Sequence, residues 1–179
     1  MKVGNFMTTQ VITVYPDSLI GGAARLMMDC KISGLPVVDT DGHVVGMVTE
    51  HDLLRAHPNG AGAPRPHWLQ LIVERGGTDQ TARFTEAKVE EVMTRNPVTV
   101  TEATPIGEAC QLIEERGFKR LPVVRDGKLV GIISRADLVR ALAVAVRMVG
   151  DARHRDAAAE TLMTDLQRQS LLHRARSRG

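Results

Sequence analysis

One pattern of residues occurs twice in this chain. Four motifs, Met-Thr, Leu-Pro-Val-Val, Asp-Gly and Thr/Ser-x-x-Asp-Leu, follow in the same order in residues 7–53 and again in residues 93–138. The offset is 86 residues from Met7 to Met93 (93 − 7) and 85 from Gly46 to Gly131 (131 − 46), so the second repeat has one residue fewer after its Pro-Val-Val run. Each repeat is too short to bury a good core alone. We therefore expect a pseudo-symmetric pair, with the groove between the repeats as the natural place for a ligand.

Hydrophobic periodicity predicts the same order of elements in each repeat: strand, helix, strand, strand, helix. The first four elements are predicted at residues 11–15, 20–28, 35–38 and 44–49, and at residues 98–101, 106–115, 121–125 and 129–134, with short helices after Asp52 and Asp137. The Asp-Gly pairs predict hairpin turns. The sequence thus predicts an α+β fold, in which two β-α-β-β-α repeats pack as a pseudo-twofold pair with a linker helix and an extra C-terminal helix.

The first predicted helix has an apolar stripe. Its members lie at helical spacings of three and four residues: Ile20, Ala23, Ala24, Met27 and Met28. We expect this stripe to be buried. The pair Asp17-Ser18 precedes the helix and is expected to cap its N-terminus.

Composition decides where the remaining segments belong. We assign residues 1–56 to the first repeat, 57–88 to a linker, 89–145 to the second repeat and 146–179 to a C-terminal helical extension. The linker begins with a Pro- and Gly-rich stretch. The residues that follow it predict a helix at residues 67–75. Trp68, the only tryptophan, is expected to be a lid or a core anchor there. A further helix is predicted at residues 156–172.

Composition also excludes several classes of protein. Aromatic residues make up 3% of the chain, so the core must consist of Val, Leu, Ile, Met and Ala. No stretch of about 18 or more apolar residues exists and the N-terminus lacks the apolar core of a signal peptide, which predicts a cytoplasmic protein without a membrane span. Cys30 and Cys110 fall in apolar helical patterns and are expected to be buried thiols in a reduced cytoplasm.

Patterns of catalytic and metal-binding residues are missing. The sequence contains no Gly-rich phosphate loop, no Cys-x-x-Cys and no His-Glu-x-x-His. His51, His57 and His67 are spaced by six and ten residues, which does not make a metal site. We therefore expect neither an enzyme nor a bound metal, and no required cofactor.

The ordered series of motifs, present twice, resembles the CBS domain, and the pair resembles a CBS tandem, or Bateman module. The resemblance covers about residues 3–56 and 89–145. It implies a stand-alone regulatory module that binds adenosine-containing ligands and usually dimerises, and it implies no catalytic activity. Residues 156–172 also resemble the first helix of a BON domain, but the remainder of such a domain is missing. An added helix that packs on a dimer partner is therefore favoured.

A carboxylate stands at the strand-to-helix corner of each repeat, in Thr49-x-x-Asp52 and in Ser134-x-x-Asp137. One interpretation is structural: Thr49 or Ser134 caps the helix, and the carboxylate lies in its first turn. The other is functional: the carboxylate accepts hydrogen bonds from two ribose hydroxyls, while the hydroxyl and nearby backbone N–H groups face a phosphate. In CBS domains that bind adenosyl ligands, residues matching Asp52 and Asp137 bind the ribose.

The resemblance also implies an adenine slot. Its residues surround the two Leu-Pro pairs and lie on the two leading strands: Leu35, Pro36, Leu121, Pro122, Gln10, Ile12, Asn96 and Val98. In this family the base lies between apolar side chains and contacts backbone groups. Simple packing is the alternative for each of these residues.

Phosphate groups need cations, and the two repeats differ in them. Lys119-Arg120 resembles the basic pair before Leu-Pro in the regulatory gamma subunit of AMP-activated protein kinase, where such residues contact nucleotide phosphates. The first repeat has Ser33-Gly34 in the matching places, and Arg135 of the second repeat matches Glu50 of the first. The two sites are therefore electrostatically unequal. Because few cations converge, a mono- or diphosphate is favoured over a triphosphate.

We therefore expect a cytoplasmic sensor that binds an adenine nucleotide or another adenosyl ligand, with AMP, ADP, ATP, NAD and S-adenosylmethionine as candidates. We expect a homodimer, because the apolar helix faces exceed what two repeats can bury, and an unknown protein partner that responds to the ligand. One alternative is a dimerisation or interaction module that binds no nucleotide. A second is weak nucleic-acid binding through the basic residues 173–178, which lack aromatic groups for base stacking.

Overall fold

The computed structural model of the chain describes residues 1–55 and 86–149. The first range forms a helix, two strands and a short helix: α1 (Ile20–Asp29), β1 (Gly34–Val38), β2 (Val44–Thr49) and α2 (Glu50–Arg55). The second range forms a two-residue strand, a helix, two strands and a helix: β3 (Thr94–Arg95), α3 (Ile106–Glu115), β4 (Arg120–Arg125), β5 (Lys128–Ser134) and α4 (135–149). A 3₁₀ turn precedes each set, at Val3–Asn5 and at Val89–Glu91. The same order of elements in both ranges confirms the repeat and the α+β fold.

The chain divides into two compact units near the start of α4. The first unit, Met1–Arg135, contains both hairpins and helices α1 to α3, and the second begins at Ala136. The helices predicted at residues 67–75, with Trp68, and at residues 156–172 lie outside the described residues. Within residues 1–55 and 86–149, no helix is long and apolar enough to cross a membrane.

The two hairpins have the predicted form and differ in the length of their turns. Strands β1 and β2 pair in antiparallel register, as do β4 and β5. In the second turn Asp126 and Gly127 have φ angles of 52° and 78°, which is typical of a two-residue type I′ turn. In the first hairpin Val38 pairs with Val44, and residues 39–43 lie between them. In the second hairpin Val124 pairs with Leu129, and residues 125–128 lie between them. The one-residue difference between the repeats therefore lies in this turn, as predicted.

The prediction of regular strands at residues 11–15 and 98–101 is wrong. Each of these segments forms only a single β-bridge to the hairpin of its own repeat. Val14 donates its N–H to the carbonyl of Pro36 at 3.1 Å, and its own carbonyl accepts a second backbone hydrogen bond from β1. A longer parallel ladder would require a backbone N–H from residue 36, and proline has none. The single bridge at Val100 has the same cause, since a proline occupies the corresponding position of β4.

Helix α1 buries a narrower face than its apolar pattern predicts. Ile20, Ala23 and Met27 are buried, as expected, but Ala24 is exposed and Met28 is 72% exposed. Residues at spacings of three and seven share one line along a helix. This line is the buried face of the helix, and Leu26 packs against the core beside it, partly buried.

Two local predictions around the helices are wrong. No side chain caps α1, and the Ser18 hydroxyl instead accepts the backbone N–H of Tyr15 at 3.0 Å. Ser18 therefore stabilises the turn before the helix, and the Asp17-Ser18 cap does not form. Cys30 is exposed because it follows the last residue of α1, and Cys110 is half-buried beside the buried face of α3. The two thiols are thus not the buried pair that the pattern predicted.

The segment that precedes each repeat packs against the other repeat. Thr8 exchanges two backbone hydrogen bonds of 2.9 Å with Ile132 in β5. Strand β3 pairs in the corresponding way with β2, where Thr94 lies opposite Met47. Each repeat therefore extends the sheet of the other, which joins the two repeats within the first unit.

Aliphatic side chains and methionine form the core, as the composition requires. One buried cluster combines the first repeat with the segment that leads into the second: Val14, Ala23, Met27, Leu35, Val37, Val48, Val89 and Met93. Leu35 and Leu121 are 0% and 1% exposed. Full burial of such a side chain contributes about 1.5–3 kcal/mol, so packing accounts for much of the role of these two residues.

Candidate functional site

A cavity of about 550 Å³ lies between the two repeats of the first unit. Both repeats line it: Ser33, Met47, Thr49, His51 and Asp52 from the first, and Thr94, Asn96, Pro97, Val98, Gly117, Phe118, Lys119, Arg120, Leu121 and Pro122 from the second. This volume is within the range of small-molecule sites, about 300–1,000 Å³. Apolar side chains line much of the wall and a few charged and hydroxyl groups converge on it. Such a surface suits a small molecule with a flat apolar part and a polar part.

The carboxylate of Asp52 is held rigidly at the cavity wall. Thr49 donates its backbone N–H at 2.8 Å and its hydroxyl at 2.7 Å to the same oxygen, Oδ2. The Thr49 hydroxyl in turn accepts the N–H of Asp52 at 3.4 Å, which completes a reciprocal cap at the start of α2. Among the described residues, every hydrogen bond to this carboxylate uses Oδ2. The structural interpretation is confirmed for Thr49-x-x-Asp52, and Oδ1 of Asp52 is left available to a ligand.

The guanidinium of Arg120 connects the two repeats at the cavity. Its Nη1 donates to the carbonyl oxygen of Gly34 at 2.9 Å, and its Nη2 donates to the Ser33 hydroxyl. Burial lowers the pKa of Arg120, and the nearby carboxylate of Glu50 acts in the opposite direction. The sequence suggested a phosphate-binding cation here, but the structure also makes it a link between repeats.

Lys119 also has a partner in the first repeat. Its Nζ lies 3.9 Å from Oε2 of Glu50, and both side chains are more than half exposed. An exposed pair at this distance contributes about 0–1 kcal/mol, so a stronger partner can displace it. The cavity therefore has two cations, and both stand close to groups of the first repeat.

An apolar wall completes the cavity. Leu121 and Pro122 of β4 are fully buried, while Val98 is 37% exposed. Phe118 and Met47 add further apolar surface. Asn96 has a φ of 47°, a left-handed conformation that asparagine tolerates better than most residues. The wall thus has the apolar character that a flat aromatic base requires.

The structure brings together part of the predicted site. Eight of the predicted residues line this cavity: Thr49, Asp52, Asn96, Val98, Lys119, Arg120, Leu121 and Pro122. Seven others do not line it: Gln10, Ile12, Leu35, Pro36, Ser134, Asp137 and Arg135. The cavity therefore combines the carboxylate of the first repeat with the cations and part of the predicted base slot of the second.

Sequence reasoning missed several lining residues: Ser33, Met47, His51, Thr94, Pro97, Gly117 and Phe118. Phe118 and Ser33 stand close before the two Leu-Pro pairs, so their position next to the motif was the available signal. His51 lies between Glu50 and Asp52 at the start of α2, where the motif itself offers no preference for a residue type.

The second carboxylate has a different environment. Asp137 is 6% exposed and forms an ion pair with Arg140, one helical turn farther along α4. A carboxylate that is buried and paired binds a new partner less readily, because the existing ion pair must be displaced. Arg135 donates from Nε to the carbonyl oxygen of Phe118 at 3.0 Å, so it contacts the lining segment without lining the cavity.

One group in the first hairpin turn has the residue types of a metal site. Asp39, Asp41 and His43 bring ligand atoms within 4.8 Å of one another. Oδ1 of Asp39 already accepts the backbone N–H groups of Asp41 and His43, at 3.0 and 2.8 Å. The His43 bond lowers the pKa of Asp39. These hydrogen bonds hold the three residues together in the turn.

Comparison with known proteins identifies the family. The model of the CBS domain matches residues 3–59 and 89–144. The chloroplastic CBS domain-containing protein CBSX1 of Arabidopsis thaliana is 34% identical over 158 residues, which are 83% of this chain and 66% of that protein. An uncharacterised protein of Methanocaldococcus jannaschii is 35% identical over 144 residues, 73% of this chain and 85% of its own. This chain thus spans just under two thirds of the length of the chloroplastic relative.

A solved structure gives the same result for the fold. The crystal structure of CBSX2, from Arabidopsis thaliana, in complex with AMP is 33% identical in sequence and superposes with a TM-score of 0.63. The superposition covers 82% of this chain and 98% of that one. Sequence and structure agree, and both cover the two repeats described above. The chain belongs to the CBS domain family and contains two CBS domains in tandem.

Proposed function

We propose that this protein is a regulatory sensor that binds an adenosine-containing ligand in the cavity between its two CBS domains. The observation that carries this proposal is the Asp52 carboxylate, which Thr49 holds at the cavity wall through Oδ2 while Oδ1 has no bond among the described residues. The AMP complex of the similar protein CBSX2 supports the choice of ligand class. The candidates are AMP, ADP, ATP, NAD and S-adenosylmethionine.

Each part of an adenosyl ligand has a proposed partner. The ribose hydroxyls donate to Asp52, whose fixed geometry avoids an entropic cost on binding. The base lies against the apolar wall of Val98, Leu121 and Pro122, and a phosphate or another anionic group faces Lys119 and Arg120. These partners belong to both CBS domains, so a bound ligand contacts both at once.

The proposed mechanism is differential binding. Arg120 bonds Ser33 and Gly34 across the two domains, and an anionic ligand group competes for the same guanidinium. A ligand that binds one arrangement of the domains better shifts the protein toward it, and a partner protein responds to that arrangement. The ligand thus acts without being chemically changed, as a regulator and not as a substrate.

We further propose that the protein acts in the cytoplasm as a homodimer. The observation that favours self-association is an exposed apolar line on α4: Val139, Leu142, Val146 and Val149, each more than half exposed. The same line favours the second candidate function, an interaction module that binds no nucleotide. The two functions differ in whether an adenosyl compound binds.

A thermal-shift panel separates the two candidates. A compound that binds only the folded protein stabilises it by about 2.7 kcal/mol at a concentration of 100 Kd. We expect at least one of adenosine, AMP, ADP, ATP, NAD and S-adenosylmethionine to raise the melting temperature, while GMP and CMP serve as controls. If none of the adenosyl compounds raises it at millimolar concentration, the interaction module is the better account.

A further inference from the structure

Glu50 places a negative charge beside both cations of the cavity. It is the first residue of α2 and stands in sequence between Thr49 and His51, which both line the cavity. Its carboxylate lies 3.9 Å from the Nζ of Lys119. Its backbone N–H donates to the carbonyl oxygen of Ser33 at 3.2 Å, which keeps this residue close to the link between the domains.

Glu50 offsets part of the positive charge at the cavity. Lys119 and Arg120 are the cationic lining residues of the described chain, and Asp52 is the anionic one. Glu50 beside Lys119 adds a second negative charge, and Arg135, which donates to the carbonyl oxygen of the lining residue Phe118, adds a third positive one. Such a site offers little excess positive charge to a polyphosphate. Each added ligand charge therefore meets repulsion from Glu50 that offsets the attraction of the cations.

The guanidinium of Arg120 strengthens this effect. Two of its nitrogens donate to Ser33 and Gly34, so part of its hydrogen-bonding capacity is already used. An anionic ligand has to share these donors or displace their partners. A ligand with little negative charge avoids that cost.

We propose that Glu50 is a specificity-determining residue that restricts this site to adenosyl ligands of low negative charge, such as a nucleoside, a sulfonium compound or a monophosphate. This inference rests on the proposed function, because it assigns the ligand class of the same cavity. The second CBS domain has Arg135 at the position that matches Glu50. The sign of the charge at this position therefore differs between the two domains, as expected if it sets selectivity and not the fold.

The test is a titration of the full chain with adenosine, AMP and ATP, for the wild type and for Glu50→Gln. Removing the negative charge should leave adenosine affinity unchanged, raise AMP affinity about threefold and raise ATP affinity about tenfold. The gains should shrink at high salt, because salt screens interactions between exposed charges. Adenosine affinity also reports on folding, since a misfolded variant would lose it.

Glu108→Gln is the matched control. Glu108 is an exposed acid in the first turn of α3 and does not line the cavity. This variant should change the affinity of no ligand. An equal effect of Glu50→Gln on all three ligands, or no effect on ATP, would overturn the role of Glu50 while leaving the proposed function intact. If the wild type binds neither adenosine nor AMP nor ATP, the proposed function fails, and the inference fails with it.

Discussion

Lys31 has a left-handed backbone conformation, which costs a lysine free energy. The matching residue of the second CBS domain, Gly117, adopts the same conformation without strain. Lys31 follows α1 with a φ of 54°, and Gly117 follows α3 with a φ of 67°. A left-handed conformation costs a residue with a Cβ roughly 1–2 kcal/mol, whereas glycine adopts it freely. The two domains thus end their first helices in the same way, but only the second uses glycine.

A pair of substitutions measures this strain. We expect Lys31→Gly to raise the free energy of unfolding by about 0.5–1 kcal/mol, since glycine's flexibility in the unfolded chain offsets part of the gain. Gly117→Ala should lower it by about 1–2 kcal/mol, although a Cβ there would meet no atom within 4 Å. Urea unfolding of both variants provides the test. Destabilisation by Lys31→Gly would show that the lysine side chain contributes more than its backbone costs.

Thr49 and Asp52 form a cap that leaves room for the second role proposed above, the binding of a ligand. The sequence left open whether the motif caps a helix or binds a ligand. The structure shows the cap, which uses Oδ2, and among the described residues Oδ1 accepts no hydrogen bond. Residue types indicated the position of the carboxylate, but only coordinates could separate its two oxygens.

Among the elements, the sequence could not predict that the segment at the start of each domain pairs with the hairpin of the other domain. The same Met-Thr motif precedes both domains, and nothing in the motif states which domain it pairs with. The structure places Met93 against Gly46 of the first domain and Met7 against Gly131 of the second. A Cβ on Gly131 would lie 2.6 Å from the Met7 sulfur. Glycine at these two positions therefore permits a close approach of a methionine side chain from the other domain.

This close approach can be tested with a double-mutant cycle. Gly46→Ala should destabilise the protein by about 1–3 kcal/mol, because its added methyl group overlaps the side chain of Met93. Met93→Ala removes a buried side chain and should cost about 2–5 kcal/mol alone. The double variant should be at least about 1 kcal/mol more stable than the sum of the two effects implies. Strict additivity would contradict the contact.

Elements with strong periodicity were predicted well. Helix α3 and strand β2 have the predicted bounds, since the apolar pattern and the turn residues agree there. The prediction of the leading strands failed, because the β-propensity of a segment takes no account of an N–H that is missing from its partner strand. The cap of α1 failed for a related reason: Ser18 had a competing backbone donor in the preceding turn.

At the scale of the whole molecule, it was harder to predict which candidate residues meet at one cavity than to pick out the candidates themselves. The motifs indicated a carboxylate, a base slot and a basic pair, and these residue types do line the cavity. The cavity combines Asp52 of the first domain with Lys119–Pro122 of the second. A sequence that repeats the same motif cannot specify this pairing, since tertiary packing decides it.

The exposed line on α4 leads to a prediction about assembly. Val139 and Leu142 are 65% and 63% exposed, and their spacing with Val146 follows an alternation of three and four residues, typical of helix pairing. We expect Val139→Glu combined with Leu142→Glu to weaken self-association at least about tenfold, because a dimer would bury both charges.

Light scattering at several protein concentrations checks this expectation. Arg147→Glu, a change of charge at an exposed position of α4 outside this line, is the control and should leave the dimer intact. A wild-type chain that stays monomeric at tens of micromolar (roughly the range of weak dimers) would contradict the proposal. So would a dimer that withstands both glutamates.

Calorimetric titration of AMP into the wild type and Asp52→Ala tests the adenosyl site most directly. Loss of the carboxylate removes charge-assisted hydrogen bonds that contribute on the order of 2–4 kcal/mol together. Affinity at this site should therefore fall roughly thirty- to thousand-fold, while the lost cap lowers the free energy of unfolding by about 1 kcal/mol. Asp29→Ala, an exposed carboxylate at the end of α1 that does not line the cavity, should bind AMP like the wild type. Equal AMP affinity of Asp52→Ala and the wild type would contradict the account, because the ligand would then bind elsewhere.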